Sequence, residues 1–99
     1  ENPVIIAMYT YLVERNDDTA PDRRALSGGW APARRNAPTE AIAIDIAQET
    51  RLAHNYFGPL RVSLWPQQAD EPHPMARFEP APAHAETFDY AAVPTRPGA

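Results

Sequence analysis

The sequence predicts a small α+β domain in which one central amphipathic helix lies between two strands and an extended proline-rich arm follows. Three observations support this fold class. Apolar residues recur at helical spacing over about residues 38–57, runs of strand-forming residues occupy about 4–13 and 60–65, and seven of the twelve prolines lie from Pro66 onward. We therefore expect an α+β core of residues 1–66 and an extended arm of residues 67–99.

The first predicted strand, about residues 4–13, is rich in Val, Ile, Tyr and Thr, which suit a pleated and buried surface. Tyr9 and Val13 fall on one face, and Met8 and Leu12 fall on the other. Because both faces are largely apolar, we expect this strand in the centre of its sheet or against another subunit.

An acidic segment, residues 14–22, follows and predicts a solvated turn rich in Asn, Asp and Pro. Its carboxylates are of the type that binds Ca²⁺. The ligand spacing and the internal glycine of an EF-hand loop are both missing. We therefore expect no metal site here.

The segment of residues 23–36 is predicted to be a loop with a binding role. It carries four arginines and a tryptophan, which are Arg23, Arg24, Trp30, Arg34 and Arg35. Arginine forks bind phosphates or carboxylates, and an exposed Trp stacks on bases. The partner is then a protein or, less favoured, a nucleic acid or nucleotide. The favoured interpretation is nevertheless structural: the arginines neutralise the acidic turn while Trp30 anchors the loop.

The helix is predicted from its angular pattern. At 100° per residue, one side collects Ile42, Ile46, Glu49, Ala53, Tyr56 and Phe57, and the other collects Glu40, Arg51, His54 and Asn55.

A strand is the rival interpretation of this region, because Ile42, Ile44 and Ile46 alternate. The Ala, Glu and Gln content favours the helix. We expect Asn36 or Thr39 to cap its start, and Gly58 in the left-handed conformation to end it before Pro59.

Glu49 is the one carboxylate expected on the apolar side of this helix. A buried carboxylate is costly unless it is paired. An Arg–Glu ion pair is therefore the favoured hypothesis. The alternative is a catalytic one, with Glu49 as a general base in a cleft and Tyr56 beside it.

The C-terminal part begins with a half-buried strand, about residues 60–65, and continues as the proline-rich arm. We expect the arm to lie on a surface, preferably of a partner, and to place aromatic anchors there, which are Phe78, Phe88 and Tyr90. Two strands and one helix do not close a core. A third strand is therefore predicted, either from the arm around Glu86–Val93 or from a neighbouring subunit.

Composition excludes several classes of protein. There is no cysteine, so disulfides and thiolate metal sites are excluded, and His54, His73 and His84 lack metal-ligand spacing. No apolar run is long enough for a membrane span, and the first residues lack the pattern of a secretory signal. We expect a cytoplasmic protein with no metal and no cofactor.

Charge and residue usage bear on partners and origin. The net charge of −4 argues against a protein that coats nucleic acid. All nine basic residues are Arg, which together with the abundant Ala and Pro is typical of a GC-rich bacterial or phage genome.

The function expected from these observations is that of a non-catalytic protein–protein interaction protein, such as an accessory subunit, an inhibitor or an assembly factor of bacterial or phage type. A chain with so small an apolar core is expected to form an oligomer or to dock on a protein partner through its helix-strand unit and its arm. A nucleic-acid contact through Arg23–Arg35 and a small enzyme based on Glu49 stay open as alternatives.

Overall fold

The computed structural model describes residues 6–17, 24–34, 36–76 and 81–94. Four strands form one antiparallel sheet in the order β2-β1-β3-β4. The strands are β1 (Ile6–Arg15), β2 (Ala25–Arg34), β3 (Leu60–Pro66) and β4 (Glu86–Tyr90), and one helix, α1 (Thr39–His54), packs on one face. The predicted α+β fold class is confirmed.

Strand β1 lies inside the sheet, between β2 and β3. Val13 and Leu12 point to opposite faces of the sheet and are 0% and 4% exposed. The prediction of a central strand is confirmed, because both faces of β1 are covered.

The prediction of one long loop between β1 and the helix is wrong, because the second half of that segment, Ala25–Arg34, forms the edge strand β2. Gly29 stands opposite Tyr11, and a Cβ on Gly29 would lie 3.3 Å from the Tyr11 hydroxyl, so the small residue lets the ring lie across β2. The Met8 carbonyl accepts a hydrogen bond from the Gln67 N–H and therefore faces away from β2. Pro32, which opposes Met8, thus has its nitrogen at the open edge, where the missing N–H costs no bond within the sheet.

The helix is confirmed over Thr39–His54, but its buried face is turned relative to the prediction. The residues that face the sheet are Ala43, Ile46, Ala47, Thr50 and Arg51. Arg51, expected in solvent, is 8% exposed, whereas Glu49 and Ala53 are exposed. The small side chains of Ala43 and Ala47 let the helix approach the sheet, and this contact sets its rotation.

Both predicted helix caps are wrong. Pro38 occupies the N-cap position without a side-chain bond, and Thr39 lies inside the helix, where its hydroxyl donates to Glu86 at 3.1 Å. Asn55 takes the left-handed conformation, with φ 50° and ψ 43°, and ends the helix before Gly58. Gly58 is needed for another reason, because a Cβ there would lie 2.3 Å from the Tyr56 hydroxyl oxygen.

The predicted strands of the C-terminal half are confirmed as β3 and β4, and β4 falls within the range expected for a third strand. The described part of the arm packs on its own chain. A 3₁₀ turn at Pro74–Ala76 covers the sheet face opposite α1. The Glu71 carboxylate holds this cover by accepting hydrogen bonds from the Trp65 indole at 2.6 Å and from the Thr10 hydroxyl.

Candidate functional site

Two grooves flank α1, one towards each edge of the sheet. Each encloses about 500 Å³. The groove towards β4, called here the α1–β4 groove, is lined by Ile44, Ala47, Gln48, Arg51, Leu52, Phe57, Tyr90, Ala91 and Val93. The groove towards β2, called here the α1–β2 groove, is bounded by the residues of β2 from Trp30 to Arg34 and by Tyr11, Ala37, Ala41, Ile42, Asp45, Ile46 and Glu49.

The α1–β4 groove concentrates exposed apolar side chains. Ile44, Leu52 and Val93 are 43%, 79% and 45% exposed, although each is a large hydrophobic residue. Ile44 and Leu52 are eight residues apart on α1, so they lie on the same side of the helix two turns apart. These exposed apolar side chains make the α1–β4 groove a candidate docking surface.

Arg51 builds the floor of the α1–β4 groove. One guanidinium nitrogen, Nη1, donates to the Gly58 carbonyl at 2.7 Å, and the other, Nη2, donates to the Ala91 carbonyl at 3.0 Å. The Val93 N–H donates to the Phe57 carbonyl at 2.8 Å. The segment after β4 is therefore fixed against the end of α1, which gives the groove a formed wall.

Tyr90 also forms part of this wall, and its hydroxyl oxygen has no hydrogen-bond partner among the described residues. Its ring packs against the core, while its buried hydroxyl makes no hydrogen bond with the described part of the chain. Burial, and to a smaller extent the charge of Glu40, raises the pKa of Tyr90. The hydroxyl thus stays protonated and can still donate to an acceptor.

The α1–β2 groove has a different chemistry. Its β2 wall carries the small residues Ala31, Pro32 and Ala33 between Trp30 and Arg34, and its helix wall carries Asp45 and Glu49, both exposed. A smaller cavity of about 200 Å³ continues from it and also involves Glu49. The helix wall of this groove is therefore acidic, whereas its β2 wall is mostly uncharged and has one basic residue, Arg34, at its end.

The surroundings of Glu49 are neither the Arg–Glu ion pair nor the cleft shared with Tyr56 that the sequence suggested. It is exposed and makes no ion pair with any residue of the described ranges, so the expected Arg–Glu pair is not formed there. It does line a groove together with Tyr11. Tyr56 lies elsewhere, with its hydroxyl 3.1 Å from an Asp17 carboxylate oxygen and 3.2 Å from the Pro59 carbonyl oxygen.

The surroundings of Tyr56 indicate a structural role. The Arg15 guanidinium lies over its ring, 4.9 Å from the centroid. Burial first, and then the hydrogen bond to Asp17, raises the pKa of Tyr56. The side chain joins the end of β1 to the segment before β3 and does not face Glu49.

The predicted arginine loop does not form one patch. Arg24 and Arg34 lie at opposite ends of β2, which at about 3.3 Å per residue places them roughly 30 Å apart. Trp30, between them, is 40% exposed and meets His73 edge-on at 5.0 Å between ring centroids. Arg23, Arg35 and Phe78 lie outside the described residues.

The remaining predicted anchors, Phe88 and Tyr90, are half-buried and pack against the core of their own chain. Phe88 completes the sheet, whereas Tyr90 also lines the α1–β4 groove. In the described ranges, no group of three or more His, Asp or Glu residues is placed to hold a metal ion.

The residues that sequence reasoning missed are Ile44, Arg51 and Leu52. A signal for two of them is present, since Ile44, Gln48 and Leu52 follow one another at intervals of four residues on a helix whose other side is already apolar.

No family model matches this chain, and neither a curated protein nor a solved structure shows a significant match to it. Among the residues that the structure describes, no helix is both long and apolar enough to cross a membrane.

Proposed function

We propose that this chain is a non-catalytic interaction protein that docks on a protein partner through the α1–β4 groove. The observation that supports this function best is the grouping of Ile44, Leu52 and Val93 around one preformed groove. Residues of α1 and of the segment after β4 both line this groove, which supports docking through the helix and the arm together.

The energetic case rests mainly on Leu52. Full burial of a leucine side chain is worth about 1.5–3 kcal/mol, and 79% of this residue is exposed. Ile44 and Val93 each still expose almost half of their surface. Together these side chains form the dry centre of an interface, which a rim of polar residues on α1 would surround.

The shape and chemistry of the groove favour the apolar face of a protein element as the occupant. Its volume of about 500 Å³ holds a few large side chains. Neither a second copy nor a different protein conflicts with this chemistry.

The experiment compares wild type with Leu52→Glu. Native mass spectrometry of the purified chain over a range of concentrations measures self-association, and immobilised chain measures capture of a partner. We expect Leu52→Glu to weaken the complex at least tenfold, because about 1.4 kcal/mol or more of apolar burial is lost and a carboxylate is desolvated.

The matched control is Gln68→Glu, which introduces the same charge at an exposed loop position away from the groove. Both variants should unfold within about 0.5 kcal/mol of wild type, since both sites are on the surface. A chain that stays monomeric at every concentration, and whose captured proteins all bind Leu52→Glu equally well, would refute the proposal.

A further inference from the structure

The open edge of β2 carries main-chain groups that no described strand uses. In an antiparallel pair, both main-chain groups of one residue point to the same side. The Arg15 N–H bonds to the Arg24 carbonyl, and the Met8 carbonyl bonds to the Gln67 N–H, so odd-numbered residues of β1 face β2 and even-numbered ones face β3. Gly29 and Ala31 therefore bond to β1, which leaves the N–H and C=O of Gly28 and Trp30 pointing outward.

These free groups lie beside the α1–β2 groove. Because α1 runs back along β2, Glu49 lies level with the stretch from Ser27 to Ala31, as their shared cavities show. Side chains of a strand added to this edge would alternate between the groove and the opposite face of the sheet.

We propose that β2 accepts an extended segment of another polypeptide as a fifth strand, with basic side chains of that segment lying in the α1–β2 groove against Asp45 and Glu49. The main-chain bonds go to Gly28 and Trp30, and Pro32, which cannot donate, limits the pairing at one end. This surface is separate from the α1–β4 groove.

Charge decides between a foreign segment and a second copy of this chain. A second β2 would bring Ser27, Gly29, Ala31 and Ala33 to the groove side, none of which is basic. Both Asp45 and Glu49 are exposed and form no ion pair within the described residues. A segment with Lys or Arg at alternate positions complements them, and a second copy does not.

The test uses three synthetic peptides with blocked ends and alternating Thr and X residues. In the first peptide X is Lys, in the second X is Glu, and the third is the Lys peptide with N-methyl groups on all main-chain nitrogens, so that neither edge of it can donate a hydrogen bond. Amide chemical shifts of the full chain are followed by NMR at millimolar peptide. We expect the Lys peptide alone to shift the Gly28 and Trp30 amides in a saturable way.

A double variant, Asp45→Asn/Glu49→Gln, should raise the Kd of the Lys peptide by about twofold to thirtyfold, the range for two exposed ion pairs. Val93→Ser, which alters the wall of the α1–β4 groove without adding a charge to α1, should leave that Kd unchanged, so failure here is separable from failure of the α1–β4 groove as a docking site. The proposal is overturned if no peptide binds, or if the Glu or N-methylated peptide binds as well as the Lys peptide. It is also overturned if the Gly28 and Trp30 amide shifts depend only on protein concentration, because that result would indicate pairing of β2 with a second copy of the chain.

Discussion

Arg51 provides the sharpest test of how the fold is held together. Its guanidinium makes two short bonds, to Gly58 at 2.7 Å and to Ala91 at 3.0 Å, while a third contact, to Tyr56 at 3.4 Å, is too long to count fully. Arg51→Met keeps the apolar stem and removes both bonds. A hydrogen bond from a charged donor is worth about 1.5–3 kcal/mol.

The lower end of this range applies, because Ala91 is exposed and its carbonyl can bind water once the arginine is gone. Two bonds then give a loss of about 3 kcal/mol in the free energy of unfolding. With a urea slope of about 1 kcal/mol per molar, the midpoint of unfolding moves down by about 3 M. For a domain of this size that is a large part of its total stability.

The assay is urea unfolding at constant pH, combined with hydrogen exchange of the Val93 amide, which should become faster as the segment after β4 is released. Arg61→Met is the matched control. Arg61 is 44% exposed and pairs with Asp89 at the surface, so its loss should cost less than about 1 kcal/mol. A loss below about 1 kcal/mol for Arg51→Met, or equal losses for the two variants, would refute the anchoring role of Arg51.

Two further predictions follow from local contacts. Gly58→Ala should lower the free energy of unfolding by about 1–3 kcal/mol, because the added Cβ pushes away the Tyr56 ring. In a Tyr56→Ala background the same substitution should be neutral or should stabilise the fold by up to about 1 kcal/mol. Equal losses in both backgrounds would disprove the steric cause. The hydrogen bond from Arg61 holds the pKa of Asp89 below its usual value, so this pair stabilises the fold above about pH 4 and the contribution is lost as the pH falls further. Urea midpoints measured between about pH 5 and pH 2 should therefore fall by less for Asp89→Asn than for wild type, and identical slopes would contradict the linkage.

Strand β2 shows where local sequence stops being informative. Its centre, Gly28 to Ala33, has no β-branched residue and contains a proline, so strand propensity gave no signal. The neighbouring strand explains why this segment is a strand. Since β1 is apolar on both faces, it lies inside the sheet, where it needs a hydrogen-bonded strand along each edge. The two-sided pattern of β1 was visible in the sequence, but nothing local identified which segment would pair with it.

Arg51 shows a second physical limit of sequence analysis. Arg51 is charged and was therefore placed on the solvent side of the predicted helix. The aliphatic part of its side chain can be buried because main-chain carbonyls accept hydrogen bonds from its guanidinium group. Those carbonyls come from the segment before β3 and the segment after β4. Only tertiary packing brings these two segments next to Arg51. The grooves depend on the same packing, so they could not be predicted from the sequence either.

The two grooves have a common geometric cause. Strands lie about 4.8 Å apart, so the axes of the outer strands are roughly 14 Å apart, while a helix with its side chains is about 10 Å wide. One helix seated over β1 and β3 therefore leaves both edges of the sheet partly uncovered. Tyr90 partly fills the β4 side, whereas Gly29 and Ala31 fill little of the β2 side.

This difference in filling gives the two edges different chemistry. The α1–β4 groove is apolar and has a wall fixed by Arg51, which favours docking of apolar side chains. The α1–β2 groove has an acidic helix wall with Asp45 and Glu49 and lies beside the open edge of β2, which favours an extended segment with basic side chains facing that wall. Because Val93 lines only the first groove, and Asp45 and Glu49 line only the second, Val93→Ser should affect only the first, and the Asp45→Asn/Glu49→Gln pair should affect only the second. If either substitution abolished both kinds of binding, the two surfaces would have to be treated as one site.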